Sequence, residues 1–257
     1  MPIRLSRSVK YIVIACIAAF IIQMTVDMYL GGHLLYVLGL VPSEVVIHYR
    51  FWQLFTYAFL HGDVMHLFFN LMMLAFIGSE IEMSWGAPRF LRYFFFCSVS
   101  AGLAYLILTL LRGSLDVPMV GASGAIYGLL LAYGILFGER VLLFMMLFPM
   151  KAKHFVWILG GLELMTTVFS PGGGLASVAH LAGMVAGLVY LYARATWSLA
   201  KKRKAQGLSP FTGAKPVKKR RANPHLKLVI DNKKAGPTGP DDHEDPDDDL
   251  DTPKTWN

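Results

Sequence analysis

The sequence predicts an all-α membrane protein: a six-transmembrane-helix bundle with a long interfacial first loop. Three observations carry this expectation. The 257 residues are 55% hydrophobic and only 16% charged, whereas a soluble domain carries about a quarter charged residues. The apolar residues gather into runs, several of them roughly 18 to 22 residues long, the length a helix needs to cross a bilayer. Lys and Arg collect in alternate connections between those runs, the pattern of segments held on the cytoplasmic side.

Residues 1–8 form a short basic lead into the first span, 9–30. That run is too long for the apolar core of a signal peptide and has no clear small-residue cleavage site, so it reads as retained. The loop 31–65 carries Tyr36, Tyr49, Phe51, Trp52, Phe55, Tyr57 and Phe59 among polar residues. Aromatic rings of this kind suit the membrane–water boundary. A structureless loop of such length is uncommon, so short interfacial helices are expected within it. Further spans follow at 66–83, 90–111, 123–137, 155–169 and 176–192, with Pro and Gly marking the breaks. No internal repeat is evident.

Orientation follows from the basic residues. Arg4, Arg7 and Lys10, then Arg89 and Arg92, then Arg140, Lys151 and Lys153 fall on one side, while the other holds only Arg50 and Arg112. Both termini are therefore expected in the cytoplasm, which requires an even number of spans. The six-helix domain is taken as 9–193. Beyond it, residues 194–257 are basic and then strongly acidic; neither part can bury a core, and a disordered cytoplasmic tail is expected. The net charge of +7 sits at membrane edges and in this tail, which points to the lipid bilayer as partner and not to nucleic acid. With no organelle-targeting presequence evident, a bacterial inner membrane is the expected setting.

Cys16 and Cys97 lie inside apolar runs and read as packing residues. No Cys/His cluster has ligand spacing, so neither a disulfide framework nor a metal or other cofactor is implied.

Polar residues inside spans are expensive in lipid and are therefore functional candidates. His66 and Asn70 are four apart near the start of span two, on one helical face. Ser123 opens span four within Gly121-Ala122-Ser123-Gly124-Ala125-Ile126-Tyr127-Gly128, and His180 lies near the start of span six. All three spans begin on the outer side, so these residues share a depth. Gly124-xxx-Gly128 and Gly183-xxx-Gly187 put small residues four apart, which lets helix backbones approach closely. If those faces meet, Ser123 and His180 come within reach as nucleophile and base. Ser123 at a helix N-terminus has unpaired N–H groups beside it for a developing oxyanion. His66 and Asn70 are candidate side-chain donors, and Tyr127, one turn below Ser123, is placed to support the imidazole. Asp27, Asp63, Glu82 and Glu163 read as rim or packing groups. None is clearly positioned to complete a Ser–His–carboxylate triad, so a dyad is expected.

Over roughly residues 9–193 the chain resembles the rhomboid intramembrane serine proteases. The resemblance rests on Trp52-Gln53-Leu54-Phe55-Thr56 before His61, His66-Leu67-Phe68-Phe69-Asn70, Gly121-Ala122-Ser123-Gly124 and Ala179-His180-Leu181-Ala182-Gly183. Glu82-Met83-Ser84-Trp85-Gly86 is similar to the family's ExxxG. The resemblance implies Ser123 as nucleophile and His180 as general base, then acid. It implies an oxyanion hole from the Ser123 N–H, His66 and Asn70, the Tyr127 ring against His180, and His61 as a polar neighbour of the site. Transmembrane protein substrates are the implied partners. One departure is Gln53, where members often carry Arg after Trp; it puts the loop's lipid contacts in question. A transporter or a catalytically silent, helix-binding relative are the rival readings. The first is opposed by polar groups clustered at one depth, the second by the presence of both Ser123 and His180.

Overall fold

The computed structural model describes residues 4–144, 148–170 and 174–205. Its first helix, α1 (Arg7–Tyr29), starts where Glu82 reaches it. The Glu82 carboxylate accepts the backbone N–H of Ser8 (2.9 Å) and of Val9 (3.0 Å) and the Ser6 hydroxyl. A carboxylate there satisfies amide donors that the helix itself leaves unpaired, at the positive end of its dipole. Glu82 is thus a helix cap supplied from elsewhere in the fold.

The long first loop folds into α2 (Leu34–Leu38), α3 (Pro42–Val46), α4 (Gln53–Thr56) and a 3₁₀ turn, Tyr57–Phe59. Gln53 is fully buried and binds these pieces together. Its Oε1 accepts Val41 N–H (2.9 Å) and its Nε2 donates to Tyr36 O (2.8 Å). The Trp52 indole donates to Val37 O at 2.9 Å, and the Thr56 hydroxyl to Leu38 O at 2.6 Å. Gln53 therefore makes an internal stitch, using an amide that can donate and accept at once.

α5 (Val64–Met73) is capped by Asp63, whose Oδ1 accepts His66 N–H at 2.8 Å. It runs through a π turn, Leu74–Gly78, into α6 (Ser79–Trp85). A Cβ on Gly78 would stand 3.2 Å from Val9 Cγ2, so the π turn lies where α1 packs. Gly86, at φ +79°, turns the chain into α7 (Ala87–Arg112), which carries Pro88 in its first turn and ends on left-handed Gly113.

α8 (Ser123–Leu136) is apolar on all sides and packs against α7, the π turn, α9 (Ala152–Phe169) and α10 (Leu175–Ala205). Ala125, Leu129 and Ala132 on it are buried in one hydrophobic cluster with Tyr93, Phe94 and Cys97 of α7. Among the described residues, four helices are long and apolar enough to cross a membrane: α1, the continuous α5–α6, α7 and α10; α8 is a shorter apolar helix. Large apolar side chains are exposed on the helices, among them Ile21 on α1, Leu111 on α7, Trp157 and Phe169 on α9 and Val185 on α10. Such contiguous apolar surface belongs in lipid.

Two features depart from expectation. A two-stranded antiparallel hairpin, β1 (Val141–Phe144) with β2 (Phe148–Lys151), links α8 to α9 in register Val141↔Lys151, so the fold is not wholly helical. Pairing between the two strands satisfies backbone groups of this connection. Glu139 bridges Lys151 (2.8 Å) and Lys153 beside it. The second departure is α10, which runs on to Ala205. Residues 194–205 are helical and not part of a disordered tail, because the same periodic helix formers continue past the apolar stretch. The expected tail from 206 onward lies outside the described residues.

Candidate active site

Gly121 prepares the start of α8. Its φ of +112° is a backbone state that side chains rarely adopt, and its N–H donates to Tyr57 O at 2.9 Å. A Cβ there would stand 2.7 Å from both Cε1 and Nε2 of His66, so only glycine lets that imidazole sit against the turn. Ser123 is the first residue of α8, and its N–H has no acceptor within the helix.

The helix pairing anticipated from the two glycine pairs is present. A Cβ on Gly183 would overlap the carbonyl oxygen of Gly124; one on Gly128 would lie 3.1 Å from Gly183 O, and one on Gly187 3.4 Å from Gly128 Cα. With backbones this close, His180 on α10 meets Ser123 on α8. His180 Nε2 is 2.7 Å from Ser123 Oγ. The Tyr127 ring stacks on the imidazole, with centroids 4.4 Å apart and planes 9° from parallel.

A cavity of about 190 Å³ adjoins this pair, and His66, Gly121, Tyr57 and Ala179 are among the residues that line it with Ser123 and His180. Asn70 is buried but does not line the cavity; its Nδ2 donates to His66 O at 2.9 Å, one turn back on its own helix. His61 is fully buried with its ring edge-on to His66, centroids 5.2 Å apart. Its backbone is held by Gln23 of α1, which donates to His61 O at 3.1 Å. Burial, and then the neighbouring His66, push the His61 imidazole down to about 4.

Of the four carboxylates read as rim or packing groups, three do local structural work. Asp27 Oδ1 accepts Leu34 N–H at 2.7 Å, closing the turn after α1, while Asp63 and Glu82 cap helices. Glu163 does not fit that reading. From α9 its Oε1 lies 2.9 Å from His180 Nδ1 and also accepts the Tyr127 hydroxyl. It stands on the Nδ1 side of His180, away from the Nε2 that meets Ser123, a placement that the reading of Glu163 as a rim or packing group did not anticipate. One signal for it was present in the sequence. An acidic residue in the middle of an apolar run needs an interior partner, and buried Gln23 on α1 carried the same signal.

Fold and site together define a helical integral membrane protein that presents a helix-terminal serine to an imidazole. Comparison with known proteins gives the family. The Rhomboid domain profile matches residues 48–197, more than half of the chain, and the chain belongs to the rhomboid family. It is 27% identical over 189 residues to rhomboid protease GlpG of Klebsiella pneumoniae, covering 70% of this chain and 60% of that protein. It is 25% identical over 173 residues to Rhomboid-like protein 15 of Arabidopsis thaliana, covering 63% of this chain and 41% of that protein. The match thus spans less than two thirds of the length of either relative.

Proposed function

We propose that this chain is an intramembrane serine endopeptidase that hydrolyses peptide bonds in or near transmembrane helices of other membrane proteins. The observation that carries the reading is the 2.7 Å approach of His180 Nε2 to Ser123 Oγ beside a cavity. A serine hydroxyl becomes nucleophilic when an adjacent base takes its proton. In the proposed reaction His180 Nε2 takes the Oγ proton as Oγ bonds to the scissile carbonyl carbon. The Ser123 N–H and the His66 ring face the oxygen that becomes negative. His180 then gives the proton to the departing amine, leaving an acyl-serine. Water attacks that ester with His180 again as base, and the acid product and free serine are released.

The six-span arrangement with both termini cytoplasmic belongs to the same proposal. The 14 residues of α8 rise about 21 Å, against about 30 Å of hydrocarbon. A helix this short cannot reach both faces of that layer; on this reading the end left inside is Ser123, where surrounding protein must satisfy its backbone. A substrate helix reaches it only after local unwinding, so small or helix-weakening residues near the cleaved bond favour turnover.

The test uses purified protein in detergent. A fluorophosphonate probe should label Ser123, and Ser123→Ala and His180→Ala should lose both labelling and cleavage of a model transmembrane substrate. Cleavage that persists in Ser123→Ala sinks the mechanism. A folded wild type that neither labels nor cuts a panel of transmembrane helices is a helix-binding relative instead.

A further inference from the structure

We propose that Glu163 is a positioning residue for His180: its carboxylate fixes the imidazole as the Nδ1–H tautomer and stabilises the imidazolium formed when Ser123 reacts. The inference rests on the serine-protease reading above and names a third participant in the same site.

The geometry is specific. An ionised carboxylate only accepts hydrogen bonds. At 2.9 Å from Glu163 Oε1, His180 Nδ1 must carry the proton, which leaves the Nε2 lone pair facing Ser123 Oγ at 2.7 Å. That is the tautomer a general base needs. The same Oε1 accepts the Tyr127 hydroxyl, so one carboxylate oxygen ties two stacked rings from two different helices. Glu163 is the acidic side chain facing the imidazole. The other polar groups around it are Ser123 and Tyr127 from α8 and His66 from α5. With the carboxylate charge removed, an imidazole beside a serine gains nothing from holding its proton on Nδ1, and the unproductive tautomer competes.

A bland alternative has the same contacts. The buried residues of α9 are Ala152, Phe155 and Val156, all in its first turns, whereas Leu162, Leu164 and Met165 around Glu163 are exposed. On that reading Glu163 serves only to tether the second half of α9 to the bundle. The two readings order the variants oppositely. Gln has the length and shape of Glu without the charge, and can turn its amide N–H toward Nδ1; Asp keeps the charge on a shorter arm. A tether prefers Gln, and a tautomer-setting carboxylate prefers Asp.

The experiment measures kcat and KM for a transmembrane substrate with full-length wild type, Glu163→Gln, Glu163→Asp and Ser123→Ala. ¹⁵N-histidine NMR of the wild type is recorded alongside. Glu163→Gln should lower kcat on the order of 100- to 10,000-fold, the scale of losing the correct tautomer in a serine triad. KM should stay within about threefold, since substrate binding is untouched. Glu163→Asp should retain more kcat than Glu163→Gln. The NMR spectrum should show His180 protonated on Nδ1 and unprotonated on Nε2. Glu163→Gln at or above the kcat of Glu163→Asp overturns the inference, and so does an Nε2–H tautomer in the wild type. The NMR arm needs neither a folded variant nor turnover. Cleavage unaffected by Ser123→Ala, or absent from the wild type, counts against the protease reading alone.

Discussion

The carbonyl oxygen of Gly124 occupies the place where a Cβ on Gly183 would stand. That carbonyl belongs to the first turn of α8, one residue after Ser123, and the crossing point therefore sets how near α10 brings His180. Gly183→Val should destabilise the bundle by about 1–3 kcal/mol or more, the usual cost of overpacking, because backbone cannot rotate aside as a side chain can. Gly161→Ala on α9, where an added Cβ meets nothing within 4 Å, should be close to neutral. Thermal unfolding in detergent reads both. Equal melting of the two variants would contradict the close crossing.

His66 and Asn70 should not be equivalent. His66 lines the cavity beside Ser123, whereas Asn70 spends an amide N–H on the His66 carbonyl. His66→Ala should lower kcat about 100- to 1000-fold, the cost of one oxyanion donor. Asn70→Ala should cost less, acting through the turn of helix it braces. A larger loss in Asn70→Ala would mean that its amide swings into the site during reaction.

Acid should weaken the fold through His61. Its imidazole lies at about 4 in the folded protein and at 6.5 in its unperturbed state. Below about pH 6.5 the unfolded chain binds a proton that the folded one refuses, so stability is lost between about pH 6.5 and pH 4 and levels off below. The full window corresponds to about 3 kcal/mol at 1.36 kcal/mol per pH unit. Melting temperatures across that window should fall in the wild type, and His61→Leu should flatten the slope. Parallel curves for the two proteins would assign the acid sensitivity elsewhere.

Topology follows from the basic connections. Reporter fusions after Leu40 and near Leu115 should report outside, and fusions near Gly86 and after Lys204 inside. An outside signal from the last of these removes the six-span arrangement and the shared depth of Ser123, His66 and His180.

Much of the site was legible in one dimension because lipid makes polar side chains conspicuous. Ser123, His180 and His66 stand out in apolar runs, and the Gly124/Gly128 and Gly183/Gly187 pairs announce a close helix crossing. The hairpin was not legible, since a short apolar segment between two helices reads equally as an extension of either. Gln53 looked like a missing Arg; its fit to the Val41 N–H and the Tyr36 carbonyl exists only once α2, α3 and α4 are folded together.

The sequence by itself determined that this chain is a helical membrane protein with a serine and an imidazole set in apolar runs, because apolar run length and residue spacing are properties of the chain alone. Only the tertiary structure decided which carboxylate belongs to which partner. Asp27, Asp63, Glu82 and Glu163 are chemically alike and each has an expensive charge to satisfy. Which of them caps a backbone and which meets the imidazole depends on how α1, α9 and α10 cross, and helices distant in sequence meet only after packing has chosen their faces.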